Sequence, residues 1–148
     1  MREMRIEDYD EVYALWLQTE CMGLNSKDES RQGIKRFIER NPHSNFVEEK
    51  DRKIVGVIMA GHDGRRGTLH HLAVDKEYRH QGIGKALVEA AVEAMRKEGI
   101  IRVNLFVYED NDEGKYFWNT QGFTVREDLD YMDRDLEEVV SINSERKC

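Results

Sequence analysis

Residues 68–99 constrain the chain most. Thr68 to Asp75 reads as a strand, a basic turn follows at Arg79-His80-Gln81-Gly82-Ile83-Gly84-Lys85, and a helix then begins. In that helix Ile83, Ala86, Leu87, Ala90, Ala91, Ala94 and Met95 recur at offsets 0, 3, 4, 7, 8, 11 and 12. This is a single apolar stripe at the helical period, and Lys85, Glu89, Glu93 and Lys97 occupy the opposite face. Gly99 fits the position just past the helix, where the left-handed conformation favours glycine. An amphipathic helix issuing from a strand must bury its stripe on a sheet, so the fold is built of helices laid on strands.

The remaining elements fit that frame. A short strand is expected at residues 2–6. A helix should start at Asp8, with Glu11 three residues on as in a capping box and Val12, Leu15, Trp16 and Thr19 facing inward. Ser26 and Glu29 repeat the capping pattern before a second stripe of Ile34, Phe37 and Ile38, which stops at Asn41-Pro42. Cys21 is read as part of a helix. Phe46-Val47 and residues 54–61 read as strands; the turn at residues 63–67 sends residues 68–75 back antiparallel. Val103, Leu105 and Val107 alternate, which places another strand at 102–108. A short helix at about 112–121 ends at Gly122, and residues 123–126 and 129–136 read as two last strands. The expectation is a mixed α/β (α+β) fold: a mostly antiparallel central sheet of about seven strands with four helices on its faces. One domain should cover residues 1–137, and residues 138–148 form a polar tail.

Composition excludes several classes of function. With 39% hydrophobic residues in 148, the chain can bury about 70% of the surface its unfolded form exposes, which rules out disorder. Two cysteines, Cys21 and Cys148, make no disulfide framework, and the expected compartment is the cytoplasm. The net charge of −7 lacks the basic footprint of a nucleic-acid or anionic-membrane binder. The longest apolar run is too short to span a bilayer. With neither a Cys-x-x-Cys nor a spaced His pair, and no calcium-loop pattern, no metal site is expected.

The turn before the long helix carries the chemistry. Helix N-termini expose unpaired N–H groups and a positive dipole end, so they bind anions. Gly82 and Gly84 allow close backbone approach, and Arg79 and Lys85 add charge. On the glycine pattern alone, the turn is either a diphosphate grip or an ordinary strand-to-helix connection. The residues fit neither the phosphate loop of ATPases nor a dinucleotide fingerprint, whose third glycine is missing.

Arg79-x-x-Gly82-x-Gly84 resembles the Arg/Gln-x-x-Gly-x-Gly/Ala signature of the GCN5-related N-acetyltransferases, placed as in that family after Leu72-x-Val74 and before an amphipathic helix. Asn111, eleven residues before Gly122-Phe123, resembles the start of the family's next helix. Gly61-x-Asp63-Gly64-x-Arg66-Gly67 and Glu109-Asp110-Asn111-Asp112 resemble small bacterial members. The resemblance covers about residues 1–137. It implies that the amides of Gln81, Gly82, Ile83, Gly84 and Lys85, flanked by Arg79 and His80, hold the pyrophosphate of acetyl-CoA. It implies further that Leu72, Ala73 and Val74 lend backbone groups to the pantetheine arm, that the sheet splays at about Asn104, and that Asn111 donates a side-chain hydrogen bond.

Acetyl transfer to an amine needs a neutral amine, a polarised thioester carbonyl and a proton for the leaving thiolate. The resemblance assigns carbonyl polarisation to the backbone N–H of Val74 and proton acceptance to a residue earlier on that strand. Strand alternation puts Thr68 and His70 on one face and Leu69 and His71 on the other. His70, titrating near ~6.5, is the expected base and His71 the weaker one. The family's proton donor is commonly a Tyr at the position of Trp118, and an indole cannot act as a practical acid. Tyr108 and Tyr131 are substitutes that the sequence does not place. Trp118 instead walls the acetyl pocket or packs in the core. The function expected is direct transfer from acetyl-CoA to a primary amine of a small molecule or protein, within a ternary complex. The competing reading is an acyl-CoA-binding regulatory or interaction module without turnover. The resemblance also admits a homodimer.

Overall fold

The computed structural model describes residues 1–142. Five strands make one sheet in the order of the chain: β1 (Arg2–Glu3), β2 (Phe46–Lys50), β3 (Lys53–His62), β4 (Gly67–Val74) and β5 (Val103–Asn104). β1 to β4 pair antiparallel and β5 joins β4 in parallel. The helices are α1 (Tyr9–Gln18), α2 (Arg31–Arg40), α3 (Ile83–Lys97) and α4 (Asp112–Thr120). This is the mixed α/β fold expected, with five strands rather than seven.

The sheet is covered on both faces, which is why β3 is buried along nearly its whole length. On one face α1 and α2 pack Val12, Leu15, Trp16 and Ile34 against Val47, Val57, Met59 and Ala73. On the other, α3 sets Leu87, Val88, Ala91 and Met95 against Val55, Ile58, Ala60 and Leu69. Each large side chain buried this way contributes about 1.5–3 kcal/mol relative to exposure. Phe117 and Trp118 of α4 join the α3 side.

Helix starts differ from the capping patterns in the sequence. Asp8 does not cap α1: its carboxylate accepts two bonds from the Arg2 guanidinium, both 2.8 Å, and one from Arg5 N. Glu11 instead reaches Ile54 N at 3.1 Å. α2 is capped by Ser30, whose Oγ accepts from Gly33 N, so Ser26 and Glu29 are free of capping duty. Residues 6–8 form a 3₁₀ turn rather than the end of a strand. Cys21 lies beyond α1 in left-handed backbone (φ 60°), not in a helix, and Cys148 falls outside the described residues.

Two expected strands are absent. β5 stops at Asn104 rather than Tyr108, and residues 123–126 and 129–136 join no ladder among the described residues. A strand exists only through a neighbour, and no described residue pairs with them. Beyond them the chain returns to the body: Val140 and Ser26 exchange bonds, Ile142 N donates to Leu24 O, and Ile142 packs beside the α1–α2 core. Residues 143–148 of the expected tail lie outside the described residues.

α3 approaches the sheet closely at Gly56, where an added Cβ would lie 2.9 Å from Ile83 Cγ2 and 3.0 Å from Leu87 Cδ1. Gly56→Val should therefore overpack this contact and cost about 1–3 kcal/mol. Circular dichroism should show Tm lowered by several degrees, on the order of 2–4 °C per kcal/mol. An unchanged Tm would mean that α3 does not seat there.

Candidate active site

The site begins where β4 and β5 part. They pair only at Gly67–Val103 and Thr68–Asn104, and Thr68 Oγ1 donates to Asn104 Oδ1 at 2.8 Å at the last rung. From residue 69 onward the β5-facing edge of β4 joins no strand among the described residues. Gly56 and Val74 form a non-hydrogen-bonded pair, since Asp75 N donates to Val55 O (2.8 Å) just beyond them. The N–H and C=O of Val74 therefore point away from β3 and into the gap. The carbonyl accepts from Arg79 Nε at 3.0 Å, which folds the arginine back over the strand end.

The loop after β4 turns on two left-handed residues, His80 (φ 61°) and Gly82 (φ 81°). Gly82 is the N-cap of α3 and supplies no side-chain cap. The first amide of the helix region to find a partner is Ala86 N, which donates to Gly82 O. Among the described residues none accepts from the amides of Ile83, Gly84 or Lys85. Three parallel donors thus sit at the positive end of a 15-residue helix. Gln81 and His80 are exposed beside them, and Lys85 lies 3.9 Å from Glu89 on the open face.

α4 closes the other side. The ring of Phe117 lies against Gly84, 3.4 Å from where a Cβ would stand. Asn111 caps α4, its Oδ1 accepting from Gly114 N at 2.9 Å, which leaves Nδ2 as the donor that can face a ligand. Trp118 packs between Phe117 and Phe123, with centroid distances of 5.2 and 5.3 Å, on the α3 side of the sheet. The rings of Tyr131 and Phe106 meet at a 50° tilt with centroids 4.5 Å apart, and both residues are exposed. Tyr108 reaches across to the α1–α2 connection, where its hydroxyl lies 2.5 Å from the position of a Cβ on Gly23.

The two histidines depart from simple alternation. A bulge interrupts the β3–β4 register between Val57 and Met59, and His71 takes a left-handed φ of 53°. The extra residue turns both imidazoles onto the α1–α2 face, with ring centroids 6.1 Å apart, rather than onto opposite faces. His70 packs edge-on against Phe37 at 5.6 Å. Burial, and secondarily the charge His71 can carry, lowers its pKa below the ordinary value. His71 Nε2 lies 2.7 Å from Glu29 Oε1, and both side chains are largely buried. Trp16 Nε1 donates to the His71 carbonyl at 3.2 Å, and Asn25 N donates to the other oxygen of Glu29. The sequence reading missed Glu29 as a partner. It stands 42 residues from His71 and resembles a capping residue, so no local signal marks it.

Residues 9–123 match the model of the acetyltransferase (GNAT) family. This chain belongs to the GNAT family. It is 34% identical over 140 residues to an acetyltransferase of Photorhabdus laumondii, covering 95% of this chain and 91% of that protein. An acetyltransferase of Sodalis glossinidius is 34% identical over 112 residues, covering 76% and 78%. Among solved structures, Ard1 from Thermoplasma volcanium superposes with a TM-score of 0.73 at 25% identity, covering 84% of this chain and 82% of that one. The PaiA N-acetyltransferase of Thermoplasma acidophilum, in complex with coenzyme A, shares the fold with a TM-score of 0.70 at 23% identity, covering 87% and 91%. The GNAT fold therefore supplies the frame for the gap, the α3 amides and the histidine pair.

Because its folded-state pKa is depressed, His70 is held neutral in the native state. Stability should be intact above the unfolded value of about 6.5 and should fall as pH drops below it. His70→Asn should reduce the loss of Tm between pH 7 and pH 5; an identical loss in the variant would remove this assignment.

Proposed function

We propose that the chain transfers an acetyl group from acetyl-CoA to a primary amine by direct attack within a ternary complex. The observation that carries this reading is the set of unpaired amides of Ile83, Gly84 and Lys85, placed at the mouth of a gap that opens along β4. Those amides suit a diphosphate, with Arg79, His80, Gln81 and Gly82 around it. Leu72, Ala73 and Val74 form the gap's edge, where a pantetheine amide can lie as a strand would. Asn104 marks the gap's closed end, and Asn111 Nδ2 supplies a donor from the far wall. Acetyl-CoA as donor is consistent with work in the cytoplasm. No described helix is long and apolar enough to cross a membrane.

In the reaction the amine nitrogen attacks the thioester carbonyl carbon, the C–S bond breaks, and the thiolate leaves as the nitrogen loses a proton. The N–H of Val74, aimed into the gap, suits the oxygen on which charge develops. The amine approaches from the α1–α2 face, where both imidazoles stand. We assign proton acceptance to His71, oriented by Glu29, with the neutral His70 beside it as the other base within reach. Trp118 cannot protonate the thiolate. We assign that proton to Tyr108, whose hydroxyl lies beside Gly23 in the α1–α2 connection.

Thiol release measured over a panel of primary amines tests the reading. Turnover with at least one amine is expected; tight acetyl-CoA binding without turnover on any would favour a binding module instead. Glu29→Gln should lower kcat about 10- to 100-fold and shift the acid limb of the pH–rate profile, with acetyl-CoA affinity unchanged. An unmoved profile in Glu29→Gln, with loss of the limb in His70→Asn, would transfer the role to His70.

A separate variant tests the cofactor grip. Gly82→Glu forces a side chain into left-handed backbone and sets a negative charge against the diphosphate. Calorimetry should show acetyl-CoA binding weakened at least ~100-fold, about 2.7 kcal/mol. Affinity within a few-fold of the parent would place the diphosphate elsewhere.

A further inference from the structure

Residues 137–142 run back along the connection between α1 and α2. Lys27 Nζ pairs with Glu137. Ser26 N donates to Val140 O at 2.8 Å, Val140 N to Ser26 Oγ at 3.1 Å, and Ile142 N to Leu24 O at 3.0 Å, with Asn25 and Ser141 bridged antiparallel. Antiparallel pairing sets the direction. As numbers rise on the returning chain they fall on the connection, from Ser26 to Leu24 and on towards Cys21.

Cys21 carries no free thiol: its sulfur is disulfide-bonded. The sequence holds one other cysteine, Cys148. Chain length permits the pairing. Cys21 stands three residues before Leu24, at most about 10 Å away, and Cys148 stands six residues after Ile142, a length that spans up to about 20 Å. The slack lets the two Cα atoms approach to the ~5.5–6 Å that a disulfide needs. Cys21 also has left-handed backbone (φ 60°), which a non-glycine residue keeps only where its surroundings hold it. A bond at its sulfur is such a hold.

We propose that Cys21 and Cys148 form a reversible redox clasp that fastens the C-terminal segment onto the α1–α2 connection. A bond between a half-buried loop cysteine and the last residue of the sequence is open to exchange, unlike one sealed in a core. In the cytoplasm proposed above, such bonds are transient and redox-sensing rather than permanent. The oxidant is glutathione disulfide. One cysteine thiolate attacks it, the glutathione S–S bond breaks, one glutathione leaves as thiolate and a mixed disulfide remains. The second cysteine thiolate then attacks the protein sulfur of that mixed disulfide, and the second glutathione leaves. Two protein thiols lose two electrons and two protons, and one glutathione disulfide becomes two glutathione thiols. The clasp closes on the connection that carries Glu29, the partner of His71. Its bearing on turnover rests on the acetyl-transfer reading, whereas the thiol exchange does not.

The full chain, equilibrated in buffers from reduced glutathione to glutathione disulfide and then alkylated, tests the proposal by peptide mapping and hydrogen exchange. A bond within one chain between Cys21 and Cys148 should form in the oxidised buffers and open in the reduced ones. The amides of Ser26, Val140 and Ile142 should exchange at least ~10-fold more slowly in the oxidised chain. Closing so long a loop restricts the unfolded chain, so oxidation should also raise Tm by at least ~5 °C. Cys148→Ser should abolish both differences while keeping the circular dichroism spectrum of the reduced parent. Thiols that alkylate at every buffer ratio overturn the proposal, as does a bond that survives the fully reduced buffer. Glutathione left on Cys21, or a bond between two chains, overturns it too. Equal exchange of those three amides in both states would show that the bond fastens nothing and would overturn the clasp.

Discussion

β4 and β5 stay paired for two residues only, and the site follows from their separation. A parallel pair holds together by evenly spaced bonds, and losing them leaves one edge of β4 with unspent donors and acceptors. Such an edge inside a protein is tolerable only if something else meets it. Arg79 meets the Val74 carbonyl, and an extended amide-bearing ligand can meet the rest. The same parting puts the N-terminus of α3 at the mouth of the opening, so one structural event supplies an open strand edge and, beside it, a helix end with unpaired amides.

The β4 bulge is the second constraint. Left-handed backbone at His71, a non-glycine residue, costs of order 1–3 kcal/mol and persists because its surroundings hold it. Trp16 holds the carbonyl and Glu29 holds the ring. Both come from the α1 side, so the helical layer that covers the sheet also orients the imidazole. The result is two histidines on one face where regular pleating would give one.

Much of the fold was legible in the sequence because its signals are local. The α3 stripe, Gly99 past its end and Gly122 past α4 are set by residues within a turn or two of each other, and both glycines take the left-handed backbone that such stops require. The Gly82 turn was legible for the same reason. What failed to show was non-local. Ser30 rather than Ser26 caps α2, and Glu29, read as a cap partner, instead meets His71, 42 positions away. Alternation at His70 and His71 broke at a bulge that no residue type announces. Phe123 to Arg126 and Leu129 to Leu136 carry strand patterning, but a pattern fixes only what a segment can do, and pairing needs a neighbour.

The central claim is that the α3 amides and the β4 edge together bind acetyl-CoA. A thermal-shift titration of the full chain with acetyl-CoA, beside ATP and NAD, tests it most directly. At about 100 times Kd a ligand adds roughly 2.7 kcal/mol to folded-state stability, which for a chain of this size raises Tm by on the order of 5–10 °C. A rise confined to acetyl-CoA is the predicted result. Equal shifts with ATP and NAD, or none with acetyl-CoA, would contradict it and reduce the turn from Arg79 to Lys85 to a strand-to-helix connection.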